Sequence, residues 1–66
     1  MVQVVRIQGP QGQRVLYLRE GCLASLRRAT GAVECVVRRL PDFDGRVLVA
    51  VEGREVHVPV GELHEL

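Results

Sequence analysis

The sequence predicts an all-β domain, and three observations carry that prediction. Thirteen of the 66 residues are Val, and β-branched side chains, stiff at χ1, favour extended backbone. Short apolar-rich runs, several of them alternating, recur along the chain. Between them stand clusters of turn-forming residues: Gly9-Pro10-Gln11-Gly12, Pro41-Asp42-Phe43-Asp44-Gly45 and Glu52-Gly53-Arg54-Glu55.

Taken in order, residues 2–8 read as a first strand and residues 14–19 as a second. The Gly-Pro-Gln-Gly cluster joins them as a hairpin. Residues 22–30 are ambiguous. Leu23, Leu26 and Ala29 or Thr30 fit helical spacing, and Gly31 suits a helix C-terminus. Ala29-Thr30-Gly31 also reads as a turn between strands. The expectation chosen is a short helix or helical loop near 22–30. Residues 32–40 form the third expected strand, with Val33, Cys35 and Val37 on one face. Residues 46–51 and 56–60 form the fourth and fifth. Residues 61–66 close the chain as one helical turn or a short last strand.

The hairpin at 46–60 is the firmest local inference. A four-residue loop from Glu52 to Glu55 sets Val51 opposite Val56, Val49 opposite Val58 and Val47 opposite Val60. A two-residue Glu52-Gly53 loop keeps the faces but shifts the pairs, and it requires a positive φ at Glu52. Glu55, His57 and Pro59 point the other way. Pro59 cannot donate a ladder hydrogen bond, so its strand is an edge or leaves the ladder there. Five short strands with tight turns suggest a small five-stranded SH3-like barrel, because closure hides the edges of so small a sheet.

Size and composition exclude several classes. A chain of 66 residues makes one domain and buries only about 60% of its unfolded surface, so a large pocket for a small-molecule substrate is not expected. A hydrophobic content of 47% is too high for a disordered tail. The longest apolar run, Val47 to Val51, is far too short to span a membrane. The first residues do not read as a secretory leader, and two cysteines are too few for a disulfide scaffold. A cytoplasmic location is expected.

No chemistry-bearing constellation is visible. Cys22, Cys35, His57 and His64 have the composition of a zinc site, but their spacing fits no zinc motif. Cys35 reads as a small core hydrophobe, and both cysteines as free thiols. Asp42 and Asp44 read as turn-capping carboxylates. The Gly9–Gly12 cluster lacks the strand-loop-helix context and the Lys of a phosphate loop. Neither an enzyme nor a cofactor is expected.

Charge is the remaining signal. All nine basic residues are Arg. Residues 1–41 carry seven of them against Glu20 and Glu34, a net of +5. Residues 42–66 carry Arg46 and Arg54 against six carboxylates, a net of −4. A basic half suits phosphates. The competing reading is that the two halves interleave as ordinary solvated surface. The expected binding residues are Arg6, Arg14 and Arg19 on the first hairpin, with Arg27 and Arg28, which from a helix would both reach solvent.

Residues 31–66 carry a resemblance. Gly31-Ala32-Val33, then Asp44-Gly45-Arg46-Val47-Leu48-Val49-Ala50-Val51-Glu52-Gly53, then Val56-His57-Val58-Pro59-Val60-Gly61-Glu62-Leu63-His64-Glu65-Leu66 resemble KOW-type SH3-like barrels. They resemble in particular the small barrel preceding the nuclease domain of bacterial MutS paralogues. Residues 1–30 do not follow that pattern. The resemblance implies a nucleic-acid or ribosome-associated accessory barrel, with no catalytic residues to carry over. Gly12-Gln13, Leu16, Leu18-Arg19, Leu26, Gly31 and Asp44-Gly45-Arg46 more weakly resemble AbrB-like DNA-binding dimers, without their proline and with too long a spacing to Gly31.

The function expected is a non-enzymatic β-barrel that binds nucleic acid or a ribonucleoprotein through arginines, with low sequence specificity. The alternative is a protein-interaction or homo-oligomerisation module. It would bury the second apolar face of 14–19 and 46–51, with Val15, Tyr17, Leu48 and Ala50, against another subunit.

Overall fold

The computed structural model describes residues 1–66 and contains seven strands. They are β1 (Val2–Gly9), β2 (Gly12–Arg19), β3 (Leu23–Arg28), β4 (Gly31–Arg39), β5 (Arg46–Val51), β6 (Arg54–Pro59) and β7 (Leu63–His64). A single 3-10 turn, Val60–Glu62, precedes β7. β1 and β2 pair as a two-stranded sheet, while the other five run in the order β6-β5-β4-β3-β7. All pairings are antiparallel. No helix is long and apolar enough to cross a membrane.

The all-β class is as expected, but the helix over 22–30 is not formed. Leu23–Arg28 is a strand paired along its whole length with β4, from Leu23 opposite Val36 to Arg28 opposite Gly31. The three-residue spacing of Leu23 and Leu26 suggested a helix. The inward set is in fact Ala24 and Leu26, with Cys22 beside them and Leu23 exposed, a period of two. Ala29-Thr30 is then the tight turn between β3 and β4. Gly31 closes it with φ 125°, a conformation that L side chains rarely adopt.

The hairpin of β5 and β6 takes the two-residue loop. Val51 faces Arg54, Val49 faces Val56 and Val47 faces Val58. Glu52 and Gly53 both have positive φ, 52° and 78°. That is the pattern of a type I′ turn, whose twist matches that of the flanking strands. The hairpin tolerates the left-handed Glu52, a strain of about 1–2 kcal/mol. Val47, Val49, Val51 and Val58 are buried, whereas Glu55, His57 and Pro59 are exposed. β6 is an edge strand, the first of the two arrangements Pro59 allows.

The hairpin of β1 and β2 supplies the lid of the core. Leu16 and Leu18 are each 1% exposed and join Ala24, Leu26, Cys35, Val37, Leu63 and the four buried valines of the β5–β6 hairpin in one cluster. Val5 and Ile7 pack against it. No ladder joins this hairpin to the five-stranded sheet, so the strands do not close into a barrel. The turn that follows β2 is tied to β4 instead, by the Gly21 N–H donating to the Val37 carbonyl at 2.7 Å. The short strand β7 covers the edge of β3, with Leu26 opposite Leu63 and Ser25 opposite His64.

Strands from the two charge halves lie side by side, β4 against β5 and β3 against β7. Arg38 of β4 and Glu55 of β6 pair at 3.5 Å across the intervening β5. The halves therefore interleave, and basic surface must be sought locally rather than on one lobe.

Candidate nucleic-acid interface

The first hairpin turn begins the candidate site. Pro10 and Gln11 form the loop and Gly12, with φ 115°, resumes the strand. Pro at the second turn position and Gly at the fourth are the preferences of a type I turn. Arg14, next on the inward side of β2, lies beyond the core. Its Nη2 donates to the Gly61 carbonyl at 2.8 Å, tying the hairpin to the turn before β7.

β7 brings the second group. Because Leu63 is buried opposite Leu26, His64 must project from the other face of the sheet, beside Ser25. Arg27, two residues beyond Ser25 on β3, shares that face. Arg14, Arg27 and His64 line one cleft of about 480 Å³ together with the Gly9–Gln13 turn. The lining holds no carboxylate and no apolar side chain other than Pro10. Partial burial pushes the His64 imidazole below its ordinary 6.5, and the charges of Arg14 and Arg27 push it further the same way. The cleft thus gathers positive charge with no carboxylate beside it.

The five expected arginines do not form one patch. Arg14 and Arg27 meet at the cleft. Arg28 points the opposite way from Arg27, as neighbours on a strand do, into a groove with Thr30, Val33, Val51, Glu52, Arg54 and Val56. Arg6 and Arg19 lie on the outward face of the first hairpin, opposite Val15 and Val2. Arg19 borders a crevice with Met1, Glu20 and Leu40. None of the five is within ion-pair distance of a carboxylate, since the one ion pair of the structure is Arg38 with Glu55.

Sequence reasoning missed His64 as a cleft residue, and it took the scarcity of aromatics, Tyr17 and Phe43 alone, as an argument against a base-stacking surface. The signal for His64 was its position after Leu63, once the tail is taken as a strand paired to β3. Tyr17 was placed on the second apolar face, and it is 58% exposed there.

Elsewhere the chemistry is quiet. The Asp42 carboxylate accepts from the Asp44 and Arg46 backbone N–H groups, at 2.9 and 3.1 Å, so it caps its turn. Cys22 and Cys35 are free thiols. Burial pushes the Cys35 thiol above its ordinary 9.0, and the neighbouring Cys22 adds to the shift. No three His, Cys, Asp or Glu side chains come together as a metal site would need. Comparison with protein-family models, curated proteins and solved structures finds no match to this chain.

Proposed function

We propose that this protein is a non-enzymatic β module that binds nucleic acid, free or within a ribonucleoprotein, through its phosphates. The observation that carries the reading is the carboxylate-free cleft where Arg14, Arg27 and His64 converge on the Gly9–Gln13 turn. Guanidinium groups match phosphate oxygens bidentately. The KOW-like pattern of residues 31–66 points the same way. No recognition helix is available to enter a major groove, so sequence specificity is low.

The two adjacent arginines of β3 provide the test. Short RNA and duplex DNA are titrated at two salt concentrations against the wild type, Arg27→Glu and Arg28→Glu. Each phosphate contact on duplex DNA contributes about 0.9 to the log–log salt slope. Arg27→Glu is expected to weaken binding roughly tenfold and to flatten the slope by about one contact. Arg28→Glu, in the other groove, should do distinctly less. Absence of binding at low salt, or equal loss in the two variants, would reject the cleft as the interface.

A further inference from the structure

The outward face of the first hairpin is a second surface, separate from the cleft. Register places Val4 opposite Tyr17, Arg6 opposite Val15 and Val2 opposite Arg19, all on the side away from the core. Val2, Val4, Val15 and Tyr17 are 43–58% exposed, and no other element covers them. Tyr17 therefore stands in the middle of an exposed, largely apolar strip. Arg6 is its diagonal cross-strand neighbour and Arg19 follows two residues on along the same face, so an arginine is placed on either side of Tyr17 along the strip. The outward residues of these strands include no carboxylate.

We infer that this face is a platform for single-stranded nucleic acid, on which an unpaired base stacks on Tyr17 and the flanking phosphates meet Arg6 and Arg19. The inference rests on the nucleic-acid reading above and adds the strandedness of the ligand. Three physical points select this occupant. A π-face bordered by apolar side chains accepts any base, and stacking on one aromatic ring is worth a substantial part of the affinity per nucleotide. A duplex hides the faces of its bases in its own stack, so side chains on a strand surface cannot stack on them. A second copy of this chain fits worse, because face-to-face packing would gather four guanidiniums with no carboxylate among them. Four half-exposed side chains also supply only a fraction of the ~800 Å² per partner of a stable protein interface.

The other aromatic residue does not compete for this role. Phe43 is 97% exposed but sits in a turn between Asp42 and Asp44, whose charges repel phosphate.

Tyr17 is the one tyrosine of the chain, and there is no tryptophan, so intrinsic fluorescence reports this ring alone. A single-stranded RNA or DNA of roughly ten nucleotides is titrated at low salt, beside the matching duplex. The single strand is expected to quench the fluorescence and the duplex to leave it nearly unchanged. Tyr17→Leu is expected to lower single-strand affinity roughly tenfold, while Tyr17→Phe, which keeps the ring, retains it. Arg6→Gln and Arg19→Gln should each reduce the salt slope. Single-strand binding without quenching, and with Tyr17→Leu as tight as wild type, would overturn the platform and leave the cleft reading intact. Absence of binding to either form would remove both. A concentration-dependent dimer in sedimentation, dissociated by Tyr17→Leu, would assign the face to a second copy and overturn the proposal.

Discussion

His64 shares its cleft with the guanidiniums of Arg14 and Arg27, and its ionisation should report what enters the cleft. Burial and the charges of Arg14 and Arg27 lower its folded pKa below 6.5. A group whose folded pKa is lowered favours the folded state above its unfolded pKa. That contribution is lost as pH falls from 6.5 through the folded value. An anion in the cleft reverses the shift, because it stabilises the imidazolium. By linkage, nucleic-acid affinity should rise as pH drops through this range. Proton NMR of the two histidines checks both statements: His64 should titrate below 6.5 in the free protein and move upward with bound RNA. His64→Gln should flatten the pH dependence of binding. A second residue-scale prediction concerns the turn after β5. Gly53 has φ 78° and open space where a Cβ would sit, so the cost of Gly53→Ala comes from backbone strain alone. It should destabilise the fold by about 1–2 kcal/mol, read as a lower denaturation midpoint with an unchanged m-value.

The β5–β6 hairpin shows how an element is held in one register. Its inward valines bury against β3, β4 and the first hairpin, and a one-residue slip would turn all of them to solvent. Val58 is 7% exposed and faces Val47, which is fully buried. Val58→Ala removes two methyl groups from that pair and should cost about 1–3 kcal/mol in chemical denaturation. His57→Ala, on the other face of the same strand, should change stability by no more than about 0.5 kcal/mol. Equal effects of the two would mean that the register is different. The same alternation explains β3: Ala24 and Leu26 face the core while Ser25 and Arg27 do not, and this places Arg27 beside His64.

The molecule has one core shared by two sheets. Leu16 and Leu18 belong to the hairpin, yet they are buried against side chains of the larger sheet. The hairpin can therefore leave only by exposing that core, and the chain should unfold as one cooperative unit. Tyr17 fluorescence follows the hairpin and far-ultraviolet circular dichroism follows all strands. The two denaturation curves should coincide, and Leu18→Ala should shift both together by about 2–5 kcal/mol. A fluorescence transition that precedes the dichroism would show that the hairpin opens on its own.

The strands with strict two-residue alternation were legible from the residues, as were the turns rich in Gly, Pro and Asp, because these signals are local. Val33, Cys35, Val37, Val47, Val49 and Val58 reach the core as the pattern required, to different depths. Residues 22–30 were not legible, because Leu23 and Leu26 satisfy a helical spacing as well as the strand that pairing with β4 stabilises. The loop at Glu52 was not legible either, since local sterics disfavour its positive φ and the twist of the hairpin outweighs that cost. The site depended still more on tertiary structure. Composition showed arginine excess in the first 41 residues, but not that Arg27 and Arg28 part company across a strand. Nor did it show that β7 carries His64, from the acidic half, to Arg27. Net charge is a sum over sequence, whereas a binding cleft depends on which side chains the register turns to the same face.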